Sequence, residues 1–411
     1  MFPARLTRAL LVRTFLFVTP PRTEQRTRLL ELAALFLRLG FTAFGGPAAH
    51  IALMEHEIVR RRGWIDRQHF LDMVAAVNFV PGPNSTELAI HIGMIRAGTP
   101  GLIVAGVCFI TPAVLIILPI AWMYITWGSL PQAGHVLSAL NAAVVGIVTA
   151  ALWRFATLAL RNHFTIIVAA FAAVAGFTGK WFPQYQPDLV ILACAAICGA
   201  LYAARHKPAD ILSAALPLAL STPTNEFLRI VAAFLKIGAT LFGSGYLLVS
   251  YLEQTFVEQH GWLTHQQLLD AFAVGQITPG PLLTTATFIG YVLGQRLFGT
   301  GGAVAGAVSC TIAIFLPSFI LIAIFGRFLP AIRANPYARG ALDAVNAAVV
   351  ALIGVVLLRL AQTTLAPNWR LDWVNLVLVI ATAFLLIARN INSTWLVGFA
   401  ALLGLIRTLL F

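Results

Sequence analysis

The sequence predicts an all-α polytopic membrane protein, and three observations lead to this prediction. Of its 411 residues, 59% are hydrophobic and only 10% are charged, whereas ordinary soluble domains contain about 25% charged residues. Apolar runs such as residues 102–127 exceed the roughly 20 residues that a spanning helix needs. The alternating pattern of membrane-barrel strands is absent from these runs. A soluble fold of this composition would expose large apolar patches.

Charge and cysteine content fit the same class. The formal net charge is +12, and in membrane proteins excess arginine marks cytoplasmic loops, so we expect a lipid bilayer rather than a nucleic acid as partner. Four cysteines lie in apolar runs without a CxxC pair, and we expect no disulfide framework, metal or cofactor. Cys194 and Cys198 share a helix face that could hold a soft metal, but packing of small side chains is the favoured interpretation.

The chain repeats itself at a nearly constant offset. Residues 35–47, "LFLRLGFTAFGGP", align with residues 233–245, "AFLKIGATLFGSG", at an offset of 198. The same offset aligns Glu55 with Glu253, Gly63 with Gly261, Trp64 with Trp262, Asp72 with Asp270, and the Pro-Gly-Pro run at Pro81 with that at Pro279. Asn141 and Asn346 each begin "NAAVV" at an offset of 205. So many ordered matches indicate a tandem duplication.

The duplication divides the chain into four predicted parts. These are a basic N-terminal arm (1–28), membrane repeat 1 (29–203), a linker (204–226) and membrane repeat 2 (227–411). The arm is interpreted as an interfacial amphipathic segment, because it lacks the small-residue cleavage site of a signal peptide. Spanning helices in repeat 1 are predicted near residues 102–127, 137–158, 164–180 and 188–203.

Loop charges predict that the two repeats have inverted topology. The loop after the first matched segment contains Arg60, Arg61, Arg62 and Arg67 in half one, whereas its counterpart in half two contains no Lys or Arg. Two loops later the bias is reversed, because residues 127–135 are uncharged and the equivalent loop contains Arg327, Arg333 and Arg339. By the positive-inside rule, equivalent loops then lie on opposite sides, as in many secondary transporters. This topology puts the basic N-terminus outside, so either the arm crosses as well or the first matched segment does not span fully.

Each Pro-Gly-Pro run interrupts an apolar region. Proline removes a backbone donor and clashes with the preceding helical turn. Short helices are therefore predicted over residues 69–81 and 84–96 in half one, and over 267–279 and 282–296 in half two. Because these pieces are too short to span alone, we predict discontinuous or re-entrant helices whose turns are enclosed by protein or face a water-filled cavity. The helix-break residues are Pro81, Gly82, Pro83, Pro279, Gly280 and Pro281.

The helix starts after these breaks are predicted to bind an anion. Free backbone N–H groups at a helix start have partial positive charge, and polar side chains there can donate to an oxygen ligand. The predicted contacts at the two breaks are Asn78, Asn84, Ser85, Thr86, Gln276, Thr284 and Thr285. The alternative is that the prolines only end helices for packing.

A cation occupies the same position in both repeats, Arg38 in "FLRLG" and Lys236 in "FLKIG". A charge inside an apolar segment is costly and normally faces a partner or a water path, and both side chains suit an oxyanion. We therefore predict that both bind substrate, with snorkelling towards the interface as the alternative. Neighbouring residues expected to let the backbone approach the anion closely are Gly45, Gly46, Gly243 and Ser244.

Three acidic residues are candidates for ion pairing or proton transfer. Asp72 and Asp270 could pair with the matched cations, carry protons, or simply begin solvated helices. Glu87 has no acidic counterpart in half two, so it could carry a proton in one half only, although a capping box with Asn84 is the favoured interpretation. The sequence contains no HExxH, GxSxG or GxxxxGK[ST] motif, so we expect neither an enzyme nor an ATP-driven pump.

Short motifs in both halves resemble the chromate ion transporter (CHR) family. They are "FGGP", "RRRGW" and "PGP" in half one, and "FGSG", "GW" and "TPGP" in half two. The resemblance covers about residues 30–411 and is to long-chain bacterial members with two homologous halves. It implies a multi-pass inner-membrane carrier that exports chromate and confers chromate resistance, with sulfate as a related oxyanion. "FGSG" lacks the proline of "FGGP", so the halves are expected to contribute unequally. A passive oxyanion channel is the alternative, and a homodimer is left open.

Overall fold

The computed structural model describes residues 22–44, 46–128, 131–179, 187–206, 225–242, 247–328, 335–366, 371–389 and 391–410. Over these residues the secondary structure is helical, with no strand, which confirms the all-α prediction. The helices of the first half are α1 (Arg22–Thr42), α2 (Gly46–Met54), α3 (Arg67–Val77), α4 (Asn84–Trp127), α5 (Pro131–Ala159), α6 (His163–Gly179) and α7 (Pro187–His206). Those of the second half are α8 (Glu226–Thr240), α9 (Leu247–Leu252), α10 (His265–Ile277), α11 (Thr285–Phe325), α12 (Pro336–Leu365), α13 (Trp373–Ala388) and α14 (Ser393–Leu410).

Helices of membrane length confirm a polytopic protein. Four of the described helical segments are long and apolar enough to cross a bilayer, and they comprise α4, α5, α11 with its preceding turn, and α12. Shorter apolar segments occupy residues 163–178, 190–204, 373–388 and 393–408. Each half therefore supplies two long and two short apolar segments in the same order. We treat these eight segments as the membrane-crossing part of the chain.

The longest helices, α4 and α11, are folded back near their first third. Gly98 in α4 has φ +66° and Gly299 in α11 has φ +68°, which are left-handed values that glycine adopts readily. Gly93 faces Gly101 across the first fold, and Gly294 faces Gly302 across the second. Each helix is thus a hairpin in which a short first arm packs against a longer second arm.

The short helices before the breaks end earlier than the proline positions suggest. α3 ends at Val77 and α10 at Ile277, instead of residues 81 and 279. The residues between Val77 and Pro81 form turns, in which the N–H of Phe79 donates to the carbonyl of Ala76. Proline disfavours the helical conformation in the residue before it, so the helix stops before the Pro-Gly-Pro run.

Two predicted domain boundaries fall near parts of the chain that lie outside the described residues. α1 begins at Arg22, so it includes the end of the predicted basic arm, whose residues 1–21 lie outside the described residues. The linker predicted over residues 204–226 also lies mostly outside them, between α7 and α8. The four-part division remains a prediction.

The last two helices of each half, α6 and α7 in the first and α13 and α14 in the second, pack against the other half. α5 of the first half packs against α13 and α14 of the second, and α12 packs against α6 and α7 of the first. Small residues allow this contact: Gly199 of α7 lies directly against Gly340 of α12, and Gly404 of α14 lies against Val136 of α5. Small residues at helix contacts let backbones approach closely inside a membrane. Each half therefore completes the core of the other.

Matched glycines also join the first helix of each half to its long hairpin. A Cβ on Gly40 of α1 would lie 2.8 Å from the carbonyl oxygen of Phe109 in α4, and a Cβ on Gly238 of α8 would overlap the carbonyl oxygen of Ile314 in α11. Backbone atoms cannot move aside as a flexible side chain can, so only glycine permits this approach.

This contact predicts the effect of adding one methyl group. We expect Gly238→Ala to lower the thermal unfolding midpoint of the detergent-purified protein, although alanine is favoured over glycine within a helix by about 1 kcal/mol. Gly398→Ala is the control, because a Cβ there meets no atom within 4 Å and should leave the midpoint unchanged or raise it. Equal midpoints for the two variants would contradict the close contact.

Candidate functional site

The two helix breaks are hydrogen-bonded to the opposite halves in a reciprocal way. The N–H of Gly82 donates to the carbonyl of Leu241 at 2.6 Å, and the N–H of Gly280 donates to the carbonyl of Ala43 at 3.0 Å. Gly82 matches Gly280, and Ala43 matches Leu241, at the offset of 198. Ala43 and Leu241 directly follow α1 and α8. Each break is thus attached to the end of the first helix of the other half.

Glycine is required at both breaks. Gly82 has φ +141° and Gly280 has φ +98°, values that side-chain-bearing residues rarely adopt. A Cβ on Gly82 would overlap the side chains of Ser318 and Glu87, and a Cβ on Gly280 would lie 3.3 Å from that of Ala113. Ser318 of α11 and Ala113 of α4 are matched at the offset of 205. Each break therefore also rests on the long hairpin of the opposite half.

The first break encloses a carboxyl group. Glu87 is fully buried, one carboxylate oxygen accepts a hydrogen bond from Ser318 at 3.3 Å, and the other has no hydrogen-bond partner among the described residues. The predicted capping box with Asn84 is wrong, because Pro83 is the N-cap residue and no side chain caps the helix. The carboxyl points instead across the break to the second half.

Polar residues lie on both sides of the first break. Asn84 donates to the side-chain oxygen of Asn78 at 2.6 Å, which joins two predicted contacts across the Pro-Gly-Pro turn. Ser85 and Thr86 are buried, and the Thr86 hydroxyl has no hydrogen-bond partner among the described residues. The structure therefore brings four of the predicted anion contacts together at one helix start.

The second break borders a cleft between the halves. Its lining residues are Ala43, Gly46, Pro47, His50, Gly275, Gln276, Thr278, Gly280 and Leu282, and no acidic residue is among them. The side-chain nitrogen of Gln276 is buried there and has no hydrogen-bond partner among the described residues. Thr284 and Thr285 donate to the carbonyls of Pro281 and Leu282, so their hydroxyl hydrogens are already engaged within the turn.

His50 is a lining residue that the sequence analysis did not select. Its Nε2 atom lies 3.0 Å from the carbonyl oxygen of Ala43, the same oxygen that accepts from Gly280. Burial lowers the pKa of His50 to about 4, against the smaller opposing effect of its hydrogen bond. The ring is neutral at pH 7 and contributes polarity without charge. It has no counterpart in half two, so the repeat gave no signal for it.

Arg38 forms an ion pair outside the cleft lining. Its guanidinium lies 2.5 Å from a carboxylate oxygen of Glu57, which Arg61 and Arg62 also contact. Glu57 lies in a π-helical segment, Glu55–Arg61, directly after α2. Burial raises the pKa of Glu57, but hydrogen bonds from Arg38 and Arg62 outweigh it and hold the pKa below its usual value. The carboxylate is thus charged at neutral pH.

The other sequence candidates are dispersed. Lys236 is half-buried in α8, where its carbonyl accepts from Thr240. Asp270 accepts from Tyr124, Asn141 and Gln266, all neutral donors, and forms no ion pair with a described residue. Asp72 accepts from Gln68 at 3.4 Å. Gly45, Gly243 and Ser244 lie outside the described residues. The roles assigned to these residues remain predictions.

Comparisons with known proteins identify relatives along most of the chain. A family model described as "Chromate transporter" matches residues 30–200 and 228–405. A chromate transport protein of Pseudomonas aeruginosa is 30% identical over 355 residues, which is 81% of each chain. A chromate transport protein of Cupriavidus metallidurans is 28% identical over 393 residues, which is 92% of each chain. An uncharacterized transporter of Bacillus subtilis is 30% identical over 170 residues, 39% of this chain and 82% of its own length. No solved structure matches.

The crowding around Gly82 predicts a site-specific effect of one methyl group. Gly82→Ala should reduce both folding yield and substrate uptake, because the new Cβ displaces Glu87 and Ser318. Gly63→Ala is the control: Gly63 has φ +60° but open space around it, so only a backbone strain of about 1–2 kcal/mol is expected. Uptake into proteoliposomes, normalised to folded protein, measures the difference. Equal uptake in both variants would argue against a crowded break.

Proposed function

Because the chain belongs to the chromate transporter family, we propose that it is a secondary active transporter that exports chromate across the inner membrane and confers chromate resistance. Related tetrahedral oxyanions such as sulfate are further substrates in this proposal. The absence of an ATP-binding motif from the sequence favours an ion or solute gradient as the energy source.

The reciprocal hydrogen bonds of Gly82 and Gly280 are the observation on which this proposal depends. They bring both helix breaks to the interface between the halves, which is where carriers built from two repeats bind their substrates. The acid-free cleft beside Gly280 suits an anion, because a dianion in a confined site is repelled by carboxylates. Gln276 supplies an unsatisfied donor to this cleft.

The direction of the exchanged helices supports inverted repeats. Gly146 of α5 packs against Thr382 of α13, and Arg154, about two turns further along α5, donates to the carbonyl of Leu386 further along α13. These helices therefore run in the same direction. If the chain crosses the membrane with α12 and returns with α13, α12 runs opposite to α5, its counterpart in the first half.

The ion pair of Arg38 with Glu57 supplies a step in the proposed transport cycle. In the proposed carrier, an oxyanion that reaches Arg38 replaces Glu57 as its partner, since both present oxygen acceptors to the same guanidinium. Lys236 performs the matched role in the second half as a point charge. The planar fork of Arg38 and the point charge of Lys236 make the halves unequal, and the halves then rock around the bound anion to expose it to each side in turn.

Transport in proteoliposomes tests the proposed function directly. Purified protein is reconstituted, loaded with unlabelled chromate and diluted into labelled chromate. A carrier should accumulate label by exchange, saturate with chromate and show competition by sulfate. Unitary chromate currents in planar bilayers, without stimulation by internal chromate, would support the passive channel and contradict a carrier.

Removal of either matched cation should weaken substrate binding. A charged hydrogen bond contributes about 1.5–3 kcal/mol, so Arg38→Ala and Lys236→Ala are each expected to raise the half-saturating chromate concentration roughly ten- to a hundredfold. Arg67→Ala is the control, because Arg67 is an ion-paired but 72% exposed arginine at the start of α3. If both cation variants are present at normal protein levels and have the half-saturating chromate concentration of the wild type, Arg38 and Lys236 are not part of the proposed site.

A further inference from the structure

A second cavity lies where the halves exchange helices, and its polar composition is opposite to that of the cleft. It is lined by Gly176, Asp188, Ser250, Glu253, Gln254, Glu258, Leu352, Val355, Val356 and Arg359. Gly176 and Asp188 come from α6 and α7 of the first half, and the others come from α9, α12 and the π-helical segment Glu253–Gln259 of the second. Three carboxyl groups face one arginine, so a chromate-like dianion would be repelled.

The cavity contains a buried carboxyl group whose oxygens accept no hydrogen bond from the described part of the chain. Glu253 is 1% exposed, and neither carboxylate oxygen has a hydrogen-bond partner among the described residues. The nearest basic groups are the Arg359 guanidinium at 3.8 Å and the His265 ring at 3.5 Å. Arg359 is shared, because it also forms a close ion pair with Glu258. A buried carboxylate that lacks full compensation favours binding of a proton or a cation.

Asp188 extends this site across the boundary between the halves. It is 6% exposed and accepts a hydrogen bond from Ser250 at 2.8 Å. Asp188 belongs to the first half and Ser250 to the second, so this hydrogen bond joins the two. The described residues contain no group of three or more His, Cys, Asp or Glu side chains arranged to hold a metal ion.

We propose that Glu253 and Asp188 form a proton-binding site, through which proton movement is coupled to the motion of the two halves. The proposal rests on the carrier function above and adds the residues at which a coupling proton binds. When both carboxyls are ionised, their repulsion separates α7 from the π-helical segment. Protonation removes this repulsion and lets the exchanged helices close.

The electrostatic surroundings support proton exchange near neutral pH. Both residues lie outside the eight apolar segments. Burial raises the pKa of Glu253 to about 8. The positive charge of Arg359 opposes this rise, and the negative charges of Glu258 and Asp188 add to it. Burial likewise raises the pKa of Asp188 to about 6. Glu253 is therefore mostly protonated at pH 7 and loses its proton as the pH rises through about 8. His265, which also faces Glu253, adds positive charge only when protonated.

The matched region of the first half lacks this arrangement. Glu55 corresponds to Glu253 but is 21% exposed in its side chain and pairs with Arg60 and Arg67. Ser393 stands at the position matched to Asp188 at the offset of 205. The equivalent place between the halves, near Glu55 and Ser393, therefore lacks the pair of buried carboxyl groups, and Glu55→Gln provides a matched control for Glu253→Gln.

The test measures chromate and protons separately in proteoliposomes that contain the full chain and an internal pH dye. In the wild type, an imposed chromate gradient should drive a proton flux. Glu253→Gln and Asp188→Asn should each lose that proton flux, and chromate transport should no longer depend on pH near pH 8. Exchange of internal for labelled chromate should continue in both variants. Glu253→Asp should restore part of the flux, and Glu55→Gln should behave as the wild type.

Each alternative outcome identifies the failing part. Proton flux per chromate that is unchanged in Glu253→Gln overturns the proton site, as does net chromate movement down a gradient in the wild type without any proton flux. Loss of chromate exchange in the wild type instead overturns the carrier function itself. If Glu253→Gln does not fold, Asp188→Asn decides the question, because retained coupled proton flux in that variant also overturns the proposal.

Discussion

The backbone N–H groups at the two helix breaks need acceptors inside an apolar protein, and this constraint determines how the halves are joined. An unsatisfied backbone group in a membrane interior costs several kcal/mol. Gly82 and Gly280 satisfy theirs with the carbonyls of Leu241 and Ala43, which terminate helices of the opposite half. Neither break can be completed within its own repeat, so the interface between the repeats is a condition of forming the breaks. The proposed substrate site lies at that interface.

The exchange of the last helices extends the same dependence to the whole molecule. α5 and α12 each pack mainly with helices of the other half, at contacts where glycine backbones meet. Motion between the halves therefore changes the surroundings of both cavities together. The acid-free cleft and the acidic cavity have opposite charge preferences, which provides a physical basis for anion transport and proton binding in one chain. In the proposed carrier, the duplicated fold thus acquires two functions through unequal side chains at matched positions.

The sequence predicted the elements better than the contacts between them. The two Pro-Gly-Pro runs, their offset and the apolar runs follow from local patterns, and these patterns located both breaks and the helical class correctly. The pairing of Arg38 with Glu57, and the contact of Glu87 with Ser318, depend on tertiary packing that no local pattern encodes. The capping box expected at Glu87 was wrong because the side chain crosses to the other half. His50 and Asp188 were missed because neither repeats, although both are polar residues close to apolar helices.

The central claim is that both halves contribute to a single anion site, and binding stoichiometry tests it most directly. Isothermal titration of the purified protein with chromate should give one site per chain. Asn78→Leu and Gln276→Leu change matched donors in opposite halves, and each should remove that one binding event. Two chromate ions per chain, with each variant losing only one, would contradict a shared site and indicate two independent half-sites.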